Sequence, residues 1–319
     1  MPDVVVHSVF GRDVKSALPE DIRDKILDDP FTFALFGPDV WFMYQPWKRR
    51  EGRGRVMHTT KPGAFLMTLA DRARISTARD ALFSYLAGFL CHYALDSGVH
   101  PYVIHITEEQ YDLPRCHMSF EHSLDMQELR RASADGKRHP VTGSYLPACR
   151  LPESIRADID EVFSSVYGWN HCWSALNHSF RRFRLVYRVI ENRNGLFSRL
   201  TRLTGSPLLK SLSYSESHFN DMDVENREKR EWRHSHDESV SSAASFGEMR
   251  AEALTHALKL IGAAYRYVFS TGLSRDEFAG FVGNRSYLSG LDAEDPRNLK
   301  FPSLLPPQKV CSTPREGST

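Results

Sequence analysis

Three side chains that commonly bind metal ions recur at four-residue spacing within one apolar segment, at His92, Asp96 and His100. On a helix, residues four apart lie on one face, with Cβ atoms about 5–6 Å apart. His92 and Asp96 could therefore reach the same ion through bonds of about 2.0–2.2 Å. Because an apolar helix excludes polar groups that are neither paired nor bound, this segment predicts a metal site.

A larger set of candidate ligands surrounds this segment. Its members are His7, Asp39, His58, His92, Asp96, His100, His117 and Glu121. His117 and Glu121 repeat the four-residue spacing, and two such pairs on separate helices can face each other in a bundle core. A structural zinc site needs only four ligands, so this excess favours two or more ions. Two neighbouring metal ions suit phosphoester hydrolysis.

The simplest alternative is that each histidine is an isolated core or surface residue, which is the better interpretation for any one of them alone. The metal hypothesis depends on the two histidine–carboxylate pairs taken together. A purely structural zinc site is a second alternative. The sequence carries no GxSxG elbow, P-loop or dinucleotide-type GxGxxG, which disfavours serine hydrolases, NTPases and Rossmann enzymes.

The elements that must position these residues are predicted to be helices. Apolar residues recur at helical spacing from Leu82 to Tyr93. Gly98 and Pro101 are expected to end this helix, which would leave His100 on the following turn. No strand-like alternation is long enough to build a sheet.

Further helices are predicted over residues 119–131, within the aromatic-rich segment 159–190, and after a capping box formed by Ser245 and Glu248. The polar segment 215–245 is predicted to be a long surface loop that could close over the site as a lid. We therefore predict an all-α fold, with a single multi-helix domain over residues 1–298 and a disordered tail over residues 299–319.

The composition is that of an ordinary globular protein. The 319 residues carry 41 basic and 40 acidic side chains, a net charge of +1, so no global field favours nucleic acid or acidic membranes. Five cysteines without a CxxC pair favour a reducing compartment over a disulfide framework. We find no signal peptide and no apolar run long enough to span a bilayer, and we predict a cytoplasmic protein.

The candidate ligands stand in ordered motifs that cover about residues 3–130. These motifs are His7-Ser8-Val9-Phe10-Gly11, Gly37-Pro38-Asp39, His58, Gly88-Phe89-Leu90-Cys91-His92-Tyr93-Ala94-Leu95-Asp96, His100-Pro101 and His117-Met118-Ser119-Phe120-Glu121. Together they resemble the zinc-dependent phospholipase C family, in the form of its leaderless bacterial members. The S1/P1-type nucleases are relatives of that family.

The resemblance implies an all-α fold around two or three zinc ions; the number stays open because the chain has no tryptophan before Trp41 to serve the third ion. For the first ion it implies the ligands Asp39, His58, His92 and Asp96. For the second it implies His100, His117 and Glu121, and for the third His7 with a bridging Asp96. Asp39 is also the candidate general base. The implied reaction is attack of a zinc-activated water on a small phosphoester or a phospholipid head group.

Two other hypotheses remain open. A nuclease or nucleotide phosphoesterase on the same fold is suggested by the basic loop 48–55, which could receive a phosphate, and by aromatic residues after Asp39. These aromatic residues could stack on a base, although core packing is the simpler interpretation: Trp41, Phe42, Tyr44 and Trp47. The third hypothesis is a non-catalytic interaction protein stabilised by metal.

Arginines interleave with aromatic residues in one later segment. They are Arg181, Arg182, Arg184, Arg188, Arg193, Arg199 and Arg202. Such a segment could touch a membrane surface or nucleic acid. We favour the simpler interpretation, a helix with a charged outer face.

Overall fold

The computed structural model describes residues 4–47, 52–109, 116–132, 141–191, 196–205, 222–270 and 272–300. Within these ranges the protein is all-α, as predicted, apart from one short hairpin. The α-helices are α1 (Val4–Ala17), α2 (Glu20–Arg23), α3 (Asp28–Ala34), α4 (Arg53–Thr59), α5 (Pro62–Ile75), α6 (Arg79–Ile104), α7 (Cys116–Ala132), α8 (Arg156–Tyr167), α9 (Cys172–Ile190), α10 (Leu196–Thr204), α11 (Phe246–Phe269) and α12 (Arg275–Val282). Turns of 3-10 helix span Gly37–Met43, Glu153–Ile155 and Pro296–Lys300, and π-helical turns span His105–Glu109 and Val141–Tyr145.

Helix α6 is the axis of the fold. It is apolar on all sides, and a helix of that kind must be surrounded by others. Every residue from Ala81 to Ile104 is buried apart from Gly98. Helices α3 and α11 pack along it, and α1 and α5 add further cover. The close approach of α3 requires Gly88, because a Cβ there would lie 2.3 Å from the carbonyl oxygen of Phe31.

The predicted end of this helix at Gly98 and Pro101 is wrong. Helix α6 continues to Ile104, so the third candidate ligand, His100, lies on the same helix as the first two. Proline removes one helical hydrogen bond and crowds the preceding turn. Burial of the last turn of α6 against its neighbours offsets that cost.

One short two-stranded sheet forms, although the sequence shows no alternation long enough to build one. Strands β1 (Trp232–His234) and β2 (Asp237–Ser242) pair antiparallel inside the segment predicted as a loop. Trp232 packs on Tyr102 of α6, with ring centroids 5.5 Å apart. Because a two-stranded hairpin is marginal by itself, this packing supports it. Residues 215–221 of the predicted loop lie outside the described residues.

The helix predicted over residues 119–131 is confirmed as α7. Helix α7 also holds the first turn of α1 in position. The buried carboxylate of Asp125 accepts hydrogen bonds from the backbone N–H groups of Val5 (2.9 Å) and Val6 (2.8 Å). These donors belong to the first turn of α1, where a helix leaves them unpaired and where its dipole favours a negative charge. The contact therefore sets the position of His7, one residue further along α1.

The remaining helices complete one apolar core. The buried apolar residues form a cluster that extends from Val4 to Tyr287. The capping box of Ser245 and Glu248 is confirmed at the start of α11. Residues 301–319 of the predicted tail lie outside the described residues. Among the helices that are described, none is long and apolar enough to cross a bilayer.

We expect Asp125→Ala to destabilise the protein by about 2–4 kcal/mol, because two buried N–H groups lose a charged acceptor. Thermal or denaturant unfolding followed by circular dichroism measures the change. Asp24→Ala is the matched control, since Asp24 is exposed and its loss should change stability by about 0.5 kcal/mol or less. Equal effects of the two substitutions would contradict the assigned role of Asp125.

Candidate metal centre

The structure gathers all eight candidate ligands into one cluster between helices. They come from α1 (His7), the turn Gly37–Met43 (Asp39), α4 (His58), α6 (His92, Asp96 and His100) and α7 (His117 and Glu121). All are buried except His117, which is partly exposed. The elements that supply them are far apart in sequence, so the cluster is a product of the helix packing.

Asp96 lies at the centre of the cluster. Its Oδ1 is 3.2 Å from Nε2 of His7, and its Oδ2 is 3.0 Å from Nε2 of His92. The same Oδ2 is 4.0 Å from Nε2 of His58 and 3.8 Å from Nδ1 of His100. The two oxygens of one carboxylate therefore face the Nε2 atoms of His7, His58 and His92, and a bridging ligand requires an arrangement of this kind.

Three side chains form what we call the first group: Asp39, His58 and His92. Their ligand atoms all lie within 4.8 Å of one another, and Oδ1 of Asp39 is 3.2 Å from Nε2 of His58. His7, His92 and Asp96 meet the same 4.8 Å limit. Because the Nε2 of His92 offers one lone pair, His92 can bind one ion in either set but not an ion in each.

The second group consists of His100, His117 and Glu121, whose ligand atoms also lie within 4.8 Å of one another. Oε1 of Glu121 is 2.9 Å from Nε2 of His117 and 3.7 Å from Nε2 of His100. The four-residue spacing of His117 and Glu121 thus places both on one face of α7, as predicted. His100 meets them across the helix interface because α6 continues past Pro101.

Backbone carbonyl groups orient three of the histidine rings. The Nδ1–H of His58 donates to the carbonyl oxygen of Gly54 (2.6 Å), that of His92 to Leu35 (3.0 Å) and that of His100 to Tyr287 (2.6 Å). A carbonyl oxygen only accepts, so each Nδ1 must carry the proton and each Nε2 keeps its lone pair for the cluster. Such outer contacts are usual behind metal-binding histidines.

A hydroxyl group, in place of a backbone carbonyl group, orients the ring of His117. The Thr107 hydroxyl donates to the carbonyl oxygen of Val103 (2.8 Å) and lies 3.3 Å from Nδ1 of His117. Since its proton is committed to Val103, the hydroxyl oxygen can accept the Nδ1–H of His117. Thr107 lies in the π-helical turn after α6, a type of turn often found at functional sites.

The electrostatics of the cluster favour neutral imidazoles beside an ionised carboxylate. Burial lowers the pKa of His7, and it lowers the pKa values of His100 and His117 well below the usual range. Burial by itself would raise the pKa of Asp96, but the neighbouring His92 and His100 outweigh it and hold that pKa well below its usual range. These are the protonation states that metal ligands need.

His92 behaves differently from the other buried histidines. Burial alone would lower its pKa, but the carboxylates of Asp96 and Asp39 outweigh that effect and raise it. A proton on His92 therefore competes with a metal ion for the same Nε2.

The residues present fit a cluster of divalent cations. Several buried polar atoms have no hydrogen-bond partner among the described residues: Nε2 of His7, His58, His92 and His100, Oδ1 of Asp39, and both carboxylate oxygens of Asp96. Buried polar atoms are normally satisfied, and these converge on one another. Nitrogen and oxygen atoms with inward lone pairs are suitable ligands for a metal ion.

Tyr287 is a residue that sequence reasoning missed. Its carbonyl oxygen orients His100, and its ring lies 5.6 Å from the ring of His58 and 5.7 Å from that of His92, centroid to centroid. It follows α12, 187 residues after His100. No periodic signal in the sequence marks it, because it belongs to an irregular segment.

Arg53, from the segment predicted as a basic loop, is the first residue of α4 and is surrounded by aromatic rings. The guanidinium carbon of Arg53 lies 4.9 Å from the ring centroid of Trp41, 4.3 Å from that of Tyr44 and 4.8 Å from that of Trp169. Three cation–π contacts hold this arginine in place, and Trp41 itself packs in the core. Residues 48–51 of the loop lie outside the described residues.

Comparison with protein-family models, with curated proteins and with solved structures finds no match for this chain. The fold and the site therefore define its class by themselves. It is an all-α protein with several histidine and carboxylate groups that could hold metal ions.

We expect Gly37→Ala to lower the affinity for zinc about tenfold or more. Gly37 has a φ of +36°, and a Cβ there would lie 2.7 Å from Cγ of His92, so the imidazole must move away from its partners. Competition with a chromogenic chelator measures the affinity.

Gly168→Ala is the matched control for this substitution. Gly168 also has a positive φ, +71°, but its added Cβ would meet nothing within 4 Å. It should cost about 1–2 kcal/mol of backbone strain and leave zinc affinity unchanged. If both substitutions weaken zinc binding equally, the contact with His92 is not the cause.

Proposed function

We propose that this protein is a zinc-dependent hydrolase of phosphoesters, a phosphodiesterase of the zinc-dependent phospholipase C type. The observation that carries the proposal is the pair of ligand groups, each of three residues, with the buried Asp96 carboxylate beside His92 of one group and His100 of the other. One structural ion would need four ligands. Eight ligands arranged in this way suit neighbouring ions.

Zinc is the metal that the donors favour. Five imidazoles and three carboxylates are nitrogen and oxygen donors of the kind that zinc binds. Hard cations such as magnesium and calcium prefer sites made of oxygen atoms alone. The two groups would hold one zinc ion each. His7 and Asp96 could contribute to a third ion, which we include in the same proposal.

Bound zinc would lower the pKa of a water molecule and polarise the phosphoester, which is the chemistry that neighbouring metal ions supply in phosphatases and nucleases. The protein positions the ligands before substrate arrives, because hydrogen bonds behind four of the rings fix their orientation. Since a preformed site needs little rearrangement during the reaction, this rigidity supports a catalytic role.

Asp39 is the residue that we assign as general base. Asp96, the other carboxylate near the first group, is completely buried, whereas the side chain of Asp39 keeps 8% of its surface exposed. A carboxylate at the edge of the cluster can meet an entering substrate and hold a proton at its oxygen. Asp96 can contact only groups that already lie inside the buried cluster.

A nucleotide or nucleic acid is the second candidate substrate. Phe42 is partly exposed and stacks on the His58 ring, with centroids 5.2 Å apart. An aromatic ring beside the metal ligands could pack on a base or on another apolar part of the substrate. Arg53, one basic residue of the segment 48–55, is already engaged with three aromatic rings.

We expect the purified protein to bind more than one zinc ion, and His92→Ala and Glu121→Ala each to lower the number bound. His92 serves the first group and Glu121 the second, so the two variants should lose different ions. Elemental analysis after dialysis gives the stoichiometry. His178→Ala is the control, because His178 is exposed on α9 and should leave it unchanged. Unaltered zinc content in both site variants would overturn the proposed metal centre.

We expect Asp39→Asn to reduce the turnover of a chromogenic phosphodiester by about a hundredfold or more, since an amide cannot accept the proton. It should weaken zinc binding less than His92→Ala does. Parallel assays on a short-chain phospholipid and a single-stranded oligonucleotide distinguish the two candidate substrates. If zinc binds but no phosphoester is hydrolysed by the native protein, the non-catalytic, metal-stabilised alternative is the correct one.

A further inference from the structure

Helices α9 and α10 each carry exposed aliphatic side chains in addition to the arginines expected from the sequence. In α9 the side chains of Leu185 and Val189, four residues apart, are 61% and 53% exposed. In α10 Leu203 is 85% exposed, and Leu200 is also exposed. We call these four residues, two on each helix, the aliphatic patch. Large aliphatic side chains with this exposure indicate a surface that binds something.

Arginine side chains accompany the aliphatic patch. Arg182 and Arg188 on α9 and Arg199 on α10 are exposed, and within the described residues no carboxylate pairs with any of them. The sequence from residue 172 to residue 205 contains one acidic residue, Glu191. Its carboxylate accepts hydrogen bonds from the backbone N–H groups of Val141 (3.1 Å) and Thr142 (3.3 Å), so it is already engaged.

The aromatic residues of the same segment face the opposite way. Phe180, Phe183 and Tyr187 of α9 and Phe197 of α10 are buried. Single-stranded nucleic acid is held by exposed aromatic rings on which bases stack, and this surface offers none of those four. Aliphatic side chains flanked by arginines are instead typical of helices that lie in a membrane interface.

We propose that the outer surface of α9 and α10 binds the surface of an anionic phospholipid membrane. The aliphatic patch would enter the boundary between head groups and acyl chains, and Arg182, Arg188 and Arg199 would pair with lipid phosphates. The helices would lie on the bilayer and not cross it. Binding of this kind needs no turnover, so it stands or fails separately from the proposed hydrolase activity.

The position of α9 links this surface to the metal centre. Its inner face packs on Phe36, with ring centroids 6.0 Å from Phe180 and 5.9 Å from Phe183. Phe36 immediately precedes the turn Gly37–Met43, which carries Asp39. A membrane held on the outer face of α9 would therefore contact the helix that supports the general base.

Vesicle co-sedimentation tests the proposal on the full-length protein. We expect binding to vesicles made of equal parts phosphatidylserine and phosphatidylcholine, little binding to phosphatidylcholine alone, and weaker binding as salt rises. Leu185→Gln combined with Leu203→Gln, and separately Arg182→Gln combined with Arg188→Gln, should each weaken binding about tenfold or more. Circular dichroism confirms that the variants remain folded.

Matched controls remove side chains of the same kind elsewhere. Ile75→Gln removes an exposed aliphatic side chain at the end of α5, and Lys259→Gln with Arg233→Gln removes two exposed positive charges. These variants should bind vesicles like the native protein.

Three results would overturn the proposal. The first is no binding to anionic vesicles. The second is binding to anionic and neutral vesicles alike. The third is binding that the leucine substitutions leave unchanged while a single-stranded oligonucleotide competes for the surface, which would mark it as a nucleic-acid site.

Discussion

The arrangement of side chains at the centre of this structure depends on one buried carboxylate. Asp96 is completely excluded from solvent in the middle of an apolar helix, where an isolated ionised carboxylate costs several kcal/mol. Its partners are the imidazoles of His7, His58, His92 and His100, and those imidazoles are themselves buried. Burial lowers the pKa values of His7 and His100, so these two rings do not neutralise the carboxylate. The cluster is therefore an arrangement of ligands that a bound cation would stabilise strongly.

The backbone accepts hydrogen bonds from the outward-facing nitrogen atoms of the histidine rings. The inward-facing nitrogen atoms keep their lone pairs for the cluster. The carbonyl oxygens of Leu35, Gly54 and Tyr287 each accept a hydrogen bond from the Nδ1–H on the far side of a histidine ring. These three carbonyl groups come from segments that are distant in sequence. The same packing that buries the apolar core thus fixes the tautomers that these histidines would need to bind a metal ion.

Glycine allows the approach that this geometry needs. Gly88 lets α3 lie against α6, and Gly37 lets the turn that carries Asp39 pass over the ring of His92. Any larger residue at these positions would occupy space already filled. On the outer face of α9, in contrast, large aliphatic side chains are exposed. The aromatic residues of the same helix are packed in the core.

The sequence by itself determined the ligand types, their four-residue spacing and the all-α class, because helical periodicity and side-chain chemistry are local properties. It named all eight residues that the structure brings together. It failed at Pro101 and at the hairpin β1–β2, where packing against neighbours outweighs local preference. Only the tertiary structure decided that α6 continues through His100, that Tyr287 returns to orient that ring, and which face of α9 is apolar. Each of these depends on contacts between segments distant in the chain, and no local pattern records them.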